Sequence, residues 1–257
     1  LKETVLITGA SSGIGYELAQ IFAKNHYNLI LIARRDKRLN EMSKKFYKNF
    51  KTNTIVLVED LTKTNTVEEI VNKIKNMGIN IDILINNAGI GYCGLFHEID
   101  LKNHNKTIEL NIVALTKLTK LISIDMVNRR KGRILNVAST GAYQPGPLIS
   151  VYYATKAYVL SFSEALYNEL KPYNITVSTL CPGTTMTEFS NNAGKGDLKS
   201  AMSPERVAKI TYNQLMRGKR IIIPGVLNKI LIFFSKITPR RILAAIVRKI
   251  QYKAMKI

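Results

Sequence analysis

The run Thr4-Val-Leu-Ile-Thr8 is short, apolar and β-branched, and it stops at Gly9. Gly9-Ala-Ser-Ser-Gly13-Ile-Gly15 follows, and Tyr16-Glu-Leu-Ala-Gln-Ile-Phe-Ala then carries a helical period. Strand, glycine-rich turn and helix in that order leave few architectures open. Glycines allow a tight turn, and they let backbone N–H groups approach a pyrophosphate at the helix N-terminus. Gly-x-x-x-Gly-x-Gly is a variant of the usual dinucleotide fingerprint. It makes Gly9, Ser11, Ser12, Gly13, Ile14 and Gly15 candidate cofactor-binding residues.

A second strand, Asn28 to Ala33, ends where a dinucleotide fold meets the adenosine ribose. An NAD-selective site usually places an acid there, whereas this chain has Arg34 and Arg35. Guanidinium groups suit a 2′-phosphate, so the expected cofactor is NADP(H) in preference to NAD(H). The competing explanation is that both arginines merely start the next helix, Asp36 to Phe50, with Asp36 as its cap. Strand three, Thr54 to Val58, closes on Glu59-Asp60-Leu61. Asp60 either accepts from an adenine amino group or only shapes the turn. A helix from Thr66 to Met77 with Gly78 behind it precedes strand four, Asp82 to Ile85, which runs into Asn86-Asn87-Ala88-Gly89. Small residues there let a ribose and phosphates pass, and an Asn can tie neighbouring strands together.

The long helical region beyond carries Asn111, polar within an apolar stripe. If buried, it is satisfied by local backbone or by an ordered water that feeds a proton path. Strand five, Arg133 to Ala138, delivers Ser139. Tyr152 and Lys156 stand four apart, on one face of the next helix, which extends to about Leu170. A phenol titrating near ~10 is a slow acid or base, and an ammonium beside it should favour the phenolate. Ser139 could hold a substrate oxygen while Tyr152 moves the proton. Tyr-x-x-x-Lys alone is common by chance on amphipathic helices. Strand six, Asn174 to Leu180, ends in Cys181-Pro182-Gly183, with Thr185 and Thr187 offering groups to a nicotinamide carboxamide. Ser190 to Ser200 reads as a substrate lid, Ser203-Pro204 as a helix start, and Arg220 to Ile223 as the last strand.

The 257 residues suit one large α/β domain. Two cysteines far apart form no disulfide framework, and three histidines have no metal-ligand spacing. No secretory leader pattern is read at the start, and no apolar run approaches the ~18 residues of a membrane span. The expected location is cytoplasmic, peripheral at a membrane surface if the basic end binds one. The net charge is +20, and no Asp or Glu occurs from Arg206 onward. Such an end attracts lipid headgroups, an acidic carrier or a phosphorylated substrate. Nucleic acid is set aside, because aromatics are not interleaved with the basic residues.

Taken together, Thr8-Gly9-x-x-x-Gly13-Ile14-Gly15, Asn86-Asn87-Ala88-Gly89, Asn111, Ser139, Tyr152-x-x-x-Lys156 and Pro182-Gly183 resemble the short-chain dehydrogenase/reductase family, in family order. The resemblance implies a doubly wound, seven-stranded parallel sheet ordered 3-2-1-4-5-6-7, flanked by helices. It implies Tyr152 as acid/base, Ser139 on the substrate oxygen, Lys156 on the ribose and Asn111 keeping the proton relay. It also implies hydride transfer between the nicotinamide and a small carbonyl or alcohol, with 3-oxoacyl thioester reduction as an alternative. A dinucleotide-binding sensor with little turnover, or a peripheral membrane protein, is the alternative from another class. Tyr153 receives no catalytic role.

Many tetrameric members end in Asp-Gly-Gly after the last strand. Here Pro224-Gly225 leads into further residues, which separates a catalytic unit, 1–225, from a C-terminal unit, 226–257. That departure weakens the tetramer and leaves a homo-oligomer as an open expectation. Val226 to Ile237 and Arg240 to Ile257 read as helices. On a wheel at ~100° per residue, Ile242, Leu243, Ile246, Val247, Ile250 and Ala254 fall on one face, with Arg241, Arg248, Lys249, Lys253 and Lys256 opposite. The apolar face either packs on the domain, covers the pocket or meets a second subunit, or the helix lies on an anionic membrane.

Overall fold

The computed structural model describes residues 2–189 and 201–255; the expected lid over 190–200 and Lys256 lie outside the described residues. Seven strands form one parallel sheet: β1 (Thr4–Thr8), β2 (Asn28–Ala33), β3 (Thr54–Val58), β4 (Ile83–Asn86), β5 (Gly132–Val137), β6 (Ile175–Leu180) and β7 (Ile221–Ile222). Their order is β3-β2-β1-β4-β5-β6-β7. The helices between them are α1 (Gly13–Lys24), α2 (Asp36–Phe50), α3 (Thr66–Asn76), α4 (Leu101–Ile108), α5 (Leu115–Arg129), α6 (Ser150–Leu170) and α7 (Pro204–Met216). After β7 come α8 (Val226–Ile237) and α9 (Arg240–Met255).

Both faces of the sheet are covered, so the central strands are apolar throughout rather than alternating. All five residues of β1 are buried. Alternate side chains serve opposite layers, as the strand period requires. Val5, Ile7, Leu29 and Leu31 pack with Phe22 of α1, Phe46 of α2 and Leu215 of α7. Leu6, Ile30 and Ile32 pack with Ile70 of α3 and with Leu118 and Met126 of α5. Strand and helix bounds follow the sequence expectation to within a residue or two. Ser203 caps α7, its hydroxyl accepting from Arg206 N at 3.3 Å, with Pro204 opening the helix.

Two local expectations change. Arg35, not Asp36, is the N-cap of α2, and Asp36 is its first helical residue, its carboxylate accepting from Asn40 one turn on. On α9 the buried line is Leu243, Val247 and Gln251, while Ile242, Ile246 and Ile250 are exposed. The expected apolar face is therefore split down its length. A polar residue completes the inner line because the Gln251 amide donates to the Tyr153 hydroxyl at 3.2 Å.

A buried polar chain crosses the sheet beneath the site. Asn86 Nδ2 donates to Asn136 Oδ1 at 2.8 Å and to Thr119 Oγ1 at 2.9 Å. Asn136 Nδ2 in turn donates to Ser163 Oγ at 2.9 Å, linking β4, β5 and α6. Cutting such a chain strands groups in a dry layer. Asn136→Ala is expected to lower unfolding free energy by about 2–4 kcal/mol. Urea denaturation at neutral pH checks this, through a lower midpoint at unchanged slope.

Candidate active site

The chain winds outward from β1 to β3 and then returns to β4 on the other side of β1. That reversal leaves a crevice at the carboxyl ends of β1 and β4. Gly9 turns the chain there at φ +63°, and a Cβ on it would come within 2.9 Å of Ala88 Cα. Asn87 ties the two edges: its amide donates to the carbonyls of Thr8 at 3.0 Å and Gly9 at 3.1 Å. The Thr8 hydroxyl accepts from the N–H groups of Asn87 and Ala88, both at 3.0 Å.

The resulting cleft has a volume of about 610 Å³ and runs from Arg34 and Arg35 to Tyr152. It brings together Gly9, Ser11, Ser12, Gly13, Ile14, Asp60, Leu61, Asn87, Ala88 and Gly89 with Ser139, Tyr152 and Lys156. Pro182, Gly183, Thr185 and Thr187 form its far wall. Gly15 and Asn111 do not line it. A Cβ on Gly15 would lie 2.4 Å from Asn87 Nδ2, so this glycine lets α1 close on the strand tie instead. Asp60 shapes the turn after β3, its Oδ1 accepting from Thr62 N at 3.0 Å and Thr62 Oγ1 at 2.8 Å. Arg34 is 3.9 Å from the other carboxylate oxygen.

Ser139 leaves β5 in extended backbone and caps a single 3₁₀ turn, Thr140–Tyr143, by accepting from Gly141 N at 3.0 Å. Tyr152 sits in the first turn of α6, half-buried, and the nearby Ser139 hydroxyl favours the ionised form of its phenol. Gly91 makes room for its ring, since a Cβ there would lie 2.7 Å from Tyr152 Cδ2. Just before α6, Leu148 holds φ +66°, a costly backbone state for a branched residue, pinned by a 2.8 Å bond from Gly94 N to its carbonyl.

Lys156 is 4 % exposed and donates to the Val137 carbonyl at 2.7 Å. Burial pulls its pKa down to about 8. Burial also pushes the Tyr152 phenol well above its ordinary value, against the lowering bond from Ser139. The expected ammonium-driven fall of the phenol pKa is thus corrected. Lys156 Nζ lies 5.6 Å from the Tyr152 ring centroid and spends its bond on Val137, so desolvation wins.

Asn111 lies in a π-helical turn, Glu109–Ala114, between α4 and α5. Its Oδ1 accepts from Ile90 N at 3.0 Å, and its Nδ2 donates to Ile90 O at 2.8 Å and Thr155 Oγ1 at 3.0 Å. Its partners are thus not local backbone: Ile90 is 21 residues away and Thr155 is 44 residues away. A Cβ on Gly89 would stand 3.3 Å from both Asn111 Oδ1 and Lys156 Nζ. These groups flank one open point on the loop.

Sequence reasoning missed Glu188 and Phe189, which line the cleft, and Arg38 beside them. It also missed Gln251, behind Tyr153. Neither Glu188 nor Gln251 stands in a motif, and both depend on contacts far along the chain.

A dinucleotide fits this cleft on the chain's own terms. The cradle at Gly9 and Gly89 has no room for side chains, and a buried lysine that donates to the Val137 carbonyl faces it. Fold and site together define an α/β protein built around a dinucleotide cleft. The short chain dehydrogenase family matches residues 3–197, and the chain belongs to that family. The very-long-chain 3-oxoacyl-CoA reductase of Bos taurus is 34 % identical over 196 residues, 74 % of this chain and 62 % of that protein. The chain thus spans less than two thirds of that relative's length. A short-chain dehydrogenase from Sphingobium yanoikuyae, solved in complex with NADPH, is 30 % identical with a TM-score of 0.83, covering 93 % of this chain and 97 % of that one. The bulky-bulky ketone specific alcohol dehydrogenase from Comamonas testosteroni is 28 % identical with a TM-score of 0.80, covering 93 % and 95 %.

Holding Lys156 in a dry site costs stability. The fall from 10.5 to about 8 corresponds to about 3 kcal/mol below pH 8. The folded pKa lies below the unfolded one, so the native state binds fewer protons between the two values and stability rises with pH there. Lys156→Met should therefore be more stable than wild type at pH 7 by about 2 kcal/mol, after about 1 kcal/mol is subtracted for the unpaired Val137 carbonyl. The advantage should vanish as pH rises through the window from about 8 to 10.5. Urea unfolding of both proteins at each end of that window checks it.

Proposed function

We propose that the chain is an NADP(H)-dependent oxidoreductase that interconverts a carbonyl and a secondary alcohol. The observation that carries this reading is the meeting of Ser139, Tyr152 and Lys156 at one end of the dinucleotide cleft. When bound, the cofactor supplies the hydride. Ser139 holds the substrate oxygen, and Tyr152 gives that oxygen its proton. Burial keeps the phenol protonated at neutral pH, which suits the acid role and hence reduction. Lys156 offers its ammonium to ribose hydroxyls beside Gly89. Asn111 is a positioning residue, fixing the Ile90 backbone and Thr155, whose hydroxyl also donates to the Tyr152 carbonyl at 2.7 Å. Thr185 and Thr187 face the carboxamide end.

The preference for NADP(H) rests on Arg35 at the cleft's adenosine end and on Ala33–Arg34 where an acid would otherwise read the 2′-hydroxyl. The NADPH-bound relative supports it. Relatives that reduce 3-oxoacyl-CoA make acyl thioesters the second substrate class, and the basic C-terminal end would attract their phosphates.

Following nicotinamide absorbance with ketones, aldehydes and 3-oxoacyl thioesters tests the reading. NADPH should be consumed faster than NADH, and Tyr152→Phe should cut turnover by about 10²–10⁴-fold while still binding NADPH. The reduction rate should be level up to about pH 8, decline there as Lys156 loses the ammonium it offers the ribose, and fall again in stronger alkali, where the phenol loses its proton. Tight NADPH binding with no turnover on any substrate would instead favour a sensor.

A second observation favours a peripheral membrane position for the unit 226–257. Val226, Phe233 and Ile237 of α8 are 71 %, 61 % and 63 % exposed, and Ile242, Ile246 and Ile250 of α9 are 54 %, 46 % and 59 % exposed. Exposed apolar side chains in such number are uncommon on a monomer facing water. Lys229, Lys236, Lys249 and Lys253 lie within the same helices, which contain no acid. That pairing suits an anionic lipid surface. No described helix is long and apolar enough to cross a membrane. The protein should co-sediment with phosphatidylserine vesicles, less so at high salt, and Phe233→Ser/Ile246→Ser/Ile250→Ser should abolish pelleting. Dimerisation without lipid and no vesicle binding would assign the face to a second copy.

A further inference from the structure

One ion-pair cluster at the cleft mouth has no part in the chemistry above. Arg35 and Arg38 share a single carboxylate: Arg35 Nη1 lies 2.5 Å from Glu188 Oε2, and Arg38 Nη1 lies 2.5 Å from Glu188 Oε1. The other Arg35 donors are held by the glycine-rich turn, Nε to Ser11 Oγ at 3.0 Å and Nη2 to Ser12 Oγ at 2.7 Å. Arg38 Nη1 also reaches the Ser11 carbonyl at 3.4 Å. Two guanidiniums fixed by the turn and converging on one pair of oxygens make a site shaped for a carboxylate or a phosphate. The hydrogen bonds from Arg38 and Arg35 outweigh burial and hold the Glu188 carboxyl below its ordinary range, so it is ionised at neutral pH.

The neighbouring residue works at the opposite end of the cleft. The Phe189 ring is tilted over the Tyr152 ring, centroids 5.1 Å apart. One dipeptide therefore touches both the adenosine-end arginines and the phenol. It is anchored just upstream, where Met186 N donates to Met202 O and Met202 N to Thr184 O, both at 3.0 Å.

We propose that Glu188 is a specificity-determining residue whose carboxylate competes with the cofactor's 2′-phosphate for Arg35 and Arg38. This rests on the NADP(H) reading. Both anions need the same donors, and held together they would repel. A phosphate carries close to two charges against one and offers three oxygens, so it wins the exchange. The pair being displaced is about 41 % exposed on both sides, the class of ion pair that is weak and readily reversible. NADH has no phosphate and leaves the clamp closed.

The test uses full-length protein and two probes, 2′-AMP and 5′-AMP, with binding followed by calorimetry. Wild type should bind 2′-AMP more tightly. Glu188→Gln should tighten 2′-AMP by about three- to tenfold and leave 5′-AMP unchanged. Arg38→Ala should weaken 2′-AMP alone. Glu188→Ala, which leaves no amide to bond the arginines, should match the Gln variant, and an unchanged thermal midpoint shows that both fold. If wild type prefers 2′-AMP but neither Glu188 variant gains, the competition is overturned while the NADP(H) reading stands. If wild type shows no preference, both fail.

Discussion

The cleft depends on how β1 is tied to β4. These strands run in register, Ile7 beside Ile85, but the chain leaves them in opposite directions, so their ends would splay if nothing joined them. The Asn87 amide spans the gap to the carbonyls of Thr8 and Gly9, and the Thr8 hydroxyl returns the tie to two N–H groups. Four bonds across a few ångströms fix both rims of the crevice. Gly9 and Gly15 follow from the same constraint, because any side chain on either would strike the tie or the Ala88 backbone. The glycine motif is thus as much about closing strands onto α1 as about making room for a pyrophosphate.

The other end of the cleft is assembled at the expense of stability. A buried lysine and a partly buried phenol meet there, and desolvation pushes each toward its neutral form. Protein groups offset this only in part: Val137 gives one carbonyl to the ammonium, and Ser139 one hydroxyl to the phenol. On the proposed reading, a bound ribose and a substrate oxygen would complete what the protein leaves short. The surrounding backbone is correspondingly over-determined. Leu148 is held at a positive φ, a π-helical turn carries Asn111, and glycines at 89 and 91 give way to Lys156 and Tyr152. Strain of this kind persists only where packing on every side enforces it.

The legible features of the sequence were those set by local chemistry. Strand bounds could be read because β-branched runs stop at Gly9, at Arg34 and at Pro182, and helix starts because Ser203-Pro204 is a cap with mechanism. The cleft residues could be read because glycine, Asn and Tyr-x-x-x-Lys each have a local reason to stand at a strand end or helix face. What escaped was settled by long-range geometry. Glu188 meets Arg35 across 153 residues, and Gln251 meets Tyr153 across 98. A period-based wheel also could not say which half of the α9 apolar face turns inward. Docking on Ile149 and Tyr153 decides that. The phenol's titration escaped for a similar reason: spacing puts Lys156 one turn from Tyr152 but does not report how dry that turn is.

The C-terminal helices reach the site at Gly183 and at Tyr153. On α8, Asn228 lies against Gly183, so close that a Cβ there would come within 2.4 Å of its carboxamide oxygen. On α9, Leu243 and Val247 pack with Tyr153, and the Gln251 amide bonds its hydroxyl, one residue from the phenol that faces the cleft. The inner line of α9 therefore braces the first turn of α6, while its outer line, Ile242, Ile246 and Ile250, stands exposed. These lines belong to one helix, so the exposed isoleucines and the brace on Tyr153 are set by the same backbone.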